Sequence, residues 1–366
     1  MDSILDTIGA STSSALRADS DGGLEMALVD PCSDASWDRD ALGHVDCTVF
    51  HSSAWARVLS ETYAHKAEYI SLSHSERLVA LLPLMDVRSP LSGSRGVCLP
   101  FTDFCEPLIF APFSSAVLVD QLASLARERK WKYFEIRGEQ VAPPATKPAV
   151  AFYGHAVNLE RGQDRFGSLD GAVRRAIRKA ERSALEVRAD GTRAAMMEFY
   201  RLHTQTRRRH GLPPQPVSFF LNIHKHIIEK GLGFVSLVLS GSRAVAAAVF
   251  FHQGAKAIFK FGASDQAYQE LRPNNLAMWH GMNFLAESGT RVVHLGRTSM
   301  QNEGLRRFKL GWAAKESVIE YFKFETATST WSVSADHVTG MHNEIFSRLP
   351  LSINRLMGTL IYPHLD

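Results

Sequence analysis

Between residues 69 and 87 apolar and polar positions first alternate and then give way to a mostly apolar run, "YISLSHSERLVALLPLMDV". The pattern predicts a half-buried strand, a polar turn and a second, more deeply buried strand, with "LVALLPLM" from Leu78 to Met85 inside the core. Residues 234–254, "FVSLVLSGSRAVAAAVFFHQG", repeat the layout, and a displacement of 166 residues sets Arg77 on Arg243, Val79 on Val245 and Ala80 on Ala246. Both hairpins follow an aromatic-bearing helical stretch, "SAWARVLSETYA" and "MMEFYRLHTQTRRRHG". Both precede an amphipathic helix and a strand, "LVDQLASLARERKWKYFEIRG" and "NLAMWHGMNFLAESGTRVVHLGRT". The order helix, hairpin, helix, strand thus occurs twice, which predicts an α/β protein with mixed sheets built by duplication.

At 366 residues the chain exceeds what one core usually organises, in keeping with two domains. The Pro-rich passage over residues 138–154 predicts a linker, and "GSLDGAVRRAIRKAERSALEVRA" a helix capped by Ser168 or Asp170, with Val173, Ile177 and Ala180 on its apolar side. These signals divide the chain into a disordered tail (1–24), a first domain (25–160), a second (161–328) and a C-terminal helical extension (329–366) whose apolar spacing is interrupted by Pro350.

Composition narrows the function classes. The chain is 45% hydrophobic and 22% charged, as globular domains are, and no apolar run reaches the ~20 residues of a membrane span. The N-terminus lacks a secretory pattern, so a cytoplasmic protein is expected. Cys32, Cys47, Cys98 and Cys105 form no C-x-x-C pair, and neither a metal site nor a disulfide framework is expected. The net charge of +3 conceals an asymmetry: residues 174–209 hold eleven Lys/Arg against four acids, a local +7 that leaves −4 elsewhere. Such a block suits an anionic partner, and with few aromatics interleaved it suits a phosphate backbone rather than DNA sequence reading.

The run from Ile258 to Trp312 resembles the second domain of the Fem-type peptidyl and aminoacyl transferases, which consist of two tandem acetyltransferase-like (GNAT) domains. Gly262-Ala263-Ser264-Asp265, Pro273-Asn274-Asn275, Gly296-Arg297 and "GLRRFKLGW" (304–312) carry the resemblance, with "FHSSAWARVL", "LPFTDFCEPL" and "RRAIRKAERSALEV" in support. It spans most of residues 45–325. The coiled-coil arm of some Fem proteins has no counterpart. Nor does the Gln/Arg-x-x-Gly-x-Gly/Ala loop by which acetyltransferases cradle coenzyme A, which counts against simple acetyl-CoA chemistry.

The resemblance implies acyl transfer to an amine without a covalent enzyme intermediate, and the chain has no G-x-S-x-G elbow. It maps Phe308 and Lys309 onto a pair lining the donor site, where lysine would pair with phosphate or stabilise the carbonyl oxygen and the ring would exclude water. Asp103, in a Pro-bounded loop, is the candidate to take a proton or bind the acceptor ammonium. Arg297, Tyr268, Arg306, Arg307 and Trp55 are candidate substrate contacts. Arg174, Arg175, Arg178, Arg207 and Arg208 are candidate tRNA or phosphate contacts. Asn274 or Asn275 is expected to cap a helix, and His203, His210, His224, His226 and His294 to be structural.

The expected activity is amide formation by transfer of an aminoacyl or acyl group, with aminoacyl-tRNA as donor and no covalently bound cofactor, to an amine on a cell-envelope or natural-product precursor. An acyl-CoA or acyl-carrier-protein donor is the alternative, and a non-catalytic polyanion-binding module the alternative of another class.

Overall fold

The computed structural model describes residues 23–160, 164–333 and 343–365. The tail expected over residues 1–24 lies, up to residue 22, outside the described residues.

The two hairpins form, and their registers repeat. Tyr69–His74 pairs antiparallel with Arg77–Leu82: His74 faces Arg77, Leu72 faces Ala80, and the register slips between Leu72 and Ser73. In the second half Ser240 faces Arg243, Val238 faces Ala246, and the slip falls between Val238 and Leu239. The displacement of 166 seen in the sequence carries one set of pairs onto the other, so the repetition extends to the bulge.

Two sheets result. A four-stranded one runs Leu24–Val29, Tyr69–His74, Arg77–Leu82, Leu108–Ile109. A long mixed sheet runs from Leu185–Asp190 through the second-half hairpin to Lys256–Ser264 and Val292–Ser299. It continues through Val150–Asn158, Lys315–Glu325 and Tyr133–Arg137 to the first-half strands Gly93–Val97, Met85–Ser89 and Lys66–Ala67. Two expectations change here. "LVALLPLM" is not one strand: Pro83, which has no N–H for a ladder, separates Arg77–Leu82 in the small sheet from Met85–Ser89 in the long one. The passage read as a linker ends in Val150–Asn158, an interior strand flanked by Val292–Ser299 and Lys315–Glu325.

One core crosses between the halves. Trp55, from the Ser53–Tyr63 helix, is fully buried against Phe50, Phe219 and Phe251 at ring distances of 5.1, 6.0 and 5.9 Å. Asp170 caps the Gly171–Glu181 helix by accepting from the Ala172 amide at 2.6 Å, and Val173, Ile177 and Ala180 are its buried residues, as the spacing predicts.

The chain ends in two helices, Asn343–Arg348 and Leu351–Ile361, with Pro350 as the N-cap of the second. This segment grips both halves: the Tyr362 hydroxyl accepts from Arg207 at 2.7 Å, while the carbonyl of His364 accepts from Arg95 at 2.9 Å. Gly358 allows the close approach, since a Cβ there would stand 1.9 Å from the backbone oxygen of Pro214. Gly358→Ala is therefore expected to undock the segment at a cost of about 1–3 kcal/mol, the range for overpacking. Hydrogen exchange should show faster amide exchange in 351–361 with the Gly171–Glu181 helix unchanged; equal exchange in both would show the contact to be unimportant.

Candidate active site

The site begins where two strands part. Lys256–Ser264 and Val292–Ser299 run parallel but pair only over Lys256–Ile258 and Val292–His294. Beyond that point the second strand follows its other neighbour, Val150–Asn158, whose register slips between His294 and Arg297. Gly296 sits in this irregularity at φ +76°, a conformation that disfavours a side chain, and a Cβ would lie 3.4 Å from the Asp103 carboxyl group. A cleft of about 1040 Å³ lies beside the Lys256–Ser264 strand, lined by residues of that strand, of the Arg243–Gln253 strand and of the Gly171–Glu181, Pro273–Glu287 and Glu303–Leu310 helices.

The cleft is built for an anion. The N-terminal turn of the Pro273–Glu287 helix forms one side, presenting the positive end of the helix dipole. Arg209, at the end of the Arg193–Arg209 helix, Arg272, and Arg307, from the Glu303–Leu310 helix, also line it; among the described residues Asp170 is the only carboxylate in the lining. Neither Asn274 nor Asn275 caps the helix. Arg272 occupies the N-cap position in left-handed conformation without a side-chain bond, and Asn274 instead donates to Ser264 Oγ at 3.0 Å.

Where the strands part, at the throat between the two halves, a loop from the first half meets the second; its residues are not among those lining the cleft. Residues 99–103 include two non-glycine residues in the left-handed region, Leu99 (φ +54°) and Phe101 (φ +60°). Three consecutive carbonyls hold it: Phe101 O accepts from Lys260 Nζ at 2.7 Å, Thr102 O from Arg137 Nη1 at 3.1 Å, and Asp103 O from the Tyr321 hydroxyl at 2.8 Å. Lys260 Nζ also pairs with the Asp103 carboxylate at 2.8 Å. Burial alone would raise the Asp103 pKa, but the charge and hydrogen bond of Lys260, helped by Arg297, outweigh it and hold the group at about 2. Asp103 is therefore an anion at neutral pH and a weak proton acceptor.

Lys309 reaches the same point from the other side. Its ammonium donates to Gly296 O at 2.8 Å and Arg297 O at 2.9 Å, so the bulge lies between Asp103 and Lys309. The residue is 4% exposed. Burial pulls its pKa down to about 8, with the Asp103 charge opposing.

The other predicted residues divide by place. Phe308 and Arg307 line the cleft. Arg297 sits at the throat, donating to the Tyr321 hydroxyl at 2.8 Å with its guanidinium 4.5 Å from the Phe152 ring. Arg306 faces elsewhere and grips Glu316 with two bonds of 2.8 and 2.9 Å. Tyr268 packs on the second-half core beneath Arg243, and Trp55 lies in the shared core. Arg174 is half-buried on the Gly171–Glu181 helix, whereas Arg175 and Arg178 are exposed beside Lys179 and Arg182 in a shallow basic depression. Arg207 and Arg208 hold the C-terminal segment through Tyr362 and Ser347. Of that arginine triplet only Arg209 faces the cleft. Lys260 was missed, although a lysine inside the apolar strand "IFKFGA" is itself a signal of a buried partner. Among the described residues all four cysteines are free, no cluster could hold a metal ion, and no helix is long and apolar enough to cross a membrane.

Residues 168–315 match the acetyltransferase (GNAT) domain family. Solved structures show the same fold over most of the chain. FemX is 15% identical, covering 81% of this chain and 96% of its own, with a TM-score of 0.63. A tandem GNAT protein from the clavulanic acid biosynthesis pathway is 8% identical, covering 83% and 98%, with a TM-score of 0.53. The C-terminal domain of a putative lysylphosphatidylglycerol synthetase from Agrobacterium fabrum is 14% identical, covering 78% and 91%, with a TM-score of 0.51. No curated protein sequence matches significantly. The chain carries an acyltransferase domain of the GNAT fold, and its mixed α/β architecture is shared with tandem GNAT proteins.

Lys260→Met should leave the Asp103 carboxylate without its partner and destabilise the protein by about 3 kcal/mol in urea unfolding. The folded-state pKa of Asp103 lies below its ordinary value of 3.8, so the pair stabilises fully above that pH and less as pH falls towards about 2. The variant should lose this acid-range dependence, and a variant as stable as the wild type would show that the pair contributes nothing net.

Proposed function

We propose that the protein forms amides by transferring an aminoacyl group from aminoacyl-tRNA to an amine, with the donor held in the arginine-lined cleft. The observation that carries this reading is the continuity of positive charge. Arg209, Arg272 and Arg307 surround the helix N-terminus inside the cleft. The Gly171–Glu181 helix, whose first turn lines the rim, carries Arg175, Arg178 and Lys179, with Arg182 as its C-cap, onward over the surface. At 1.5 Å per residue that helix extends the track by roughly 16 Å, suited to a polynucleotide backbone. Similarity to FemX supports the same reading at the level of fold.

In the proposed reaction the donor ester enters the throat with its carbonyl near Gly296. Lys309 uses two of its three N–H donors on the bulge carbonyls and turns the third to the ester oxygen, stabilising the negative charge that develops there. Asp103, ionised throughout, attracts the acceptor in its ammonium form. The ammonium first gives one proton to solvent water; the amine nitrogen then attacks, the N–C bond forms, the C–O ester bond breaks, and one of the two protons left on nitrogen passes to the departing ribose oxygen, the other staying as the amide N–H. Phe308, on the cleft wall, limits water access to the ester. The tandem GNAT domain boundaries expected near residues 160 and 328 are part of this proposal.

A second reading, an acyl-CoA donor, draws on the GNAT domain match, since the same arginines and helix N-terminus suit a pyrophosphate. Incubation with charged tRNA and a panel of amines should give a new amide in a ribonuclease-sensitive reaction. Turnover with acyl-CoA that survives ribonuclease would establish the second reading, and no amide from either donor would defeat both. Arg307→Ala should raise the donor KM about tenfold with little change in kcat, the signature of lost uniform binding. Because Lys309 acts as a cation with a pKa of about 8, kcat/KM should fall above that pH. Lys309→Arg should move the fall to higher pH, and an unchanged profile would exclude Lys309 as its source.

A further inference from the structure

A smaller cavity, of about 210 Å³, shares a wall with the donor cleft but no lining residue. Two short segments make that wall. Asp170 lines the cleft and Leu169 the cavity; Gly311 lines the cleft and Trp312 the cavity. The Asp170 amide donates to Gly311 O at 2.9 Å and pins the two segments together. The end of the Val150–Asn158 strand, the short Arg165–Ser168 helix, the middle of the Pro273–Glu287 helix and Lys315 complete the lining.

Polar capacity is left over here. Arg165 Nη1 is buried without a hydrogen-bond partner, and so is Nε1 of Trp312, a fully buried residue. Native proteins rarely leave such groups unmatched. Lys315 is exposed at the cavity, and among the described residues neither it nor Arg165 forms an ion pair. No Asp or Glu lines the cavity. The two acids nearest Arg165 in the sequence among the described residues are already engaged: Asp164 accepts from the Gly167 amide at 2.8 Å, and Glu160 from Asn158 Nδ2 at 3.3 Å. The other walls are apolar, with Val157, Leu159, Leu169 and Met282 buried and Trp279 partly so.

We infer that this cavity is a second ligand site, and that it takes a small carboxylic acid with an apolar body. A carboxylate meets two cations that have no carboxylate of their own, and a planar guanidinium suits its two oxygens. The body is buried against Leu169, Trp279 and Met282. Size sets an upper limit, since pockets for drug-sized molecules begin at ~300 Å³ and this one is smaller, too small for a nucleotide. A bare phosphate gains nothing from the apolar walls and loses more hydration on entering. The inference uses none of the cleft's arginines and stands apart from the choice of acyl donor.

Indole NMR on the full chain, with isotope-labelled tryptophan, tests the assignment. Of the six tryptophans, Trp279 and Trp312 line the cavity and none lines the cleft, so the two signals report on this site. Benzoate, benzyl alcohol and inorganic phosphate are the probes. Benzoate is expected to shift both signals to saturation, and benzyl alcohol to bind about tenfold more weakly. Arg165→Met should weaken benzoate about tenfold and leave benzyl alcohol unchanged, whereas Arg307→Ala, in the cleft, should leave benzoate unchanged. The four other indole signals check the fold of each variant. Should Arg165→Met misfold, Lys315→Met, at an exposed position, carries the test with an expected loss of about threefold. Four results would overturn the inference: no shift of the two signals, benzyl alcohol binding as tightly as benzoate, benzoate affinity indifferent to both cation substitutions, or phosphate shifting the same signals with equal affinity.

Discussion

The site rests on a failure of strand pairing. Two parallel strands that stayed together along their length would satisfy each other's backbone groups and leave no room for a ligand. Here pairing stops after Ile258 and His294, and the bulge at Gly296 turns the second strand towards its antiparallel neighbour. The exposed backbone then needs other partners, and Lys309 answers two of its carbonyls with one ammonium. A residue positioned by unpaired backbone is also positioned by the gap itself, which ties the location of the charge to the point where the strands part.

The first half contributes a short loop in an unfavourable conformation. Left-handed Leu99 and Phe101 would relax in isolation, and Asp103 would move with them. The three successive carbonyls are restrained by Lys260, Arg137 and Tyr321, from three different strands of the long sheet. Arg137 and Tyr321 also stack, with the guanidinium carbon 4.2 Å from the ring centroid, and so support each other's orientation. Asp103 is thus fixed by the sheet as a whole.

Much of the architecture was legible in the sequence. The duplicated hairpins, the capped Gly171–Glu181 helix and the terminal helices follow from alternation, capping chemistry and proline position, all local signals. The misreadings came where local signals conflict with tertiary placement. Proline-rich flanks disguised Val150–Asn158, and an apolar run disguised the transfer between sheets at Pro83. At the site, Phe308 and Lys309 were adjacent in the sequence, but nothing local shows that one faces the cleft and the other the bulge. The arginine triplet illustrates the same limit: successive helical positions point about 100° apart, so Arg207 and Arg208 hold the C-terminal segment and Arg209 alone reaches the cleft. Lys260 and Asp103 are 157 residues apart, and no spacing rule joins them.

The order of strands in the long sheet also bears on how the chain is made. Lys315–Glu325, synthesised after both of its long-sheet neighbours, sits between Val150–Asn158 and Tyr133–Arg137 and is the bridge between the halves. Until it leaves the ribosome, each of those earlier strands has an open edge in the middle of what will become one sheet. Open edges recruit other strands, including those of neighbouring nascent chains. The vulnerable period therefore lies between the emergence of Val150–Asn158 and that of Lys315–Glu325, while the strand that joins the halves is still to come.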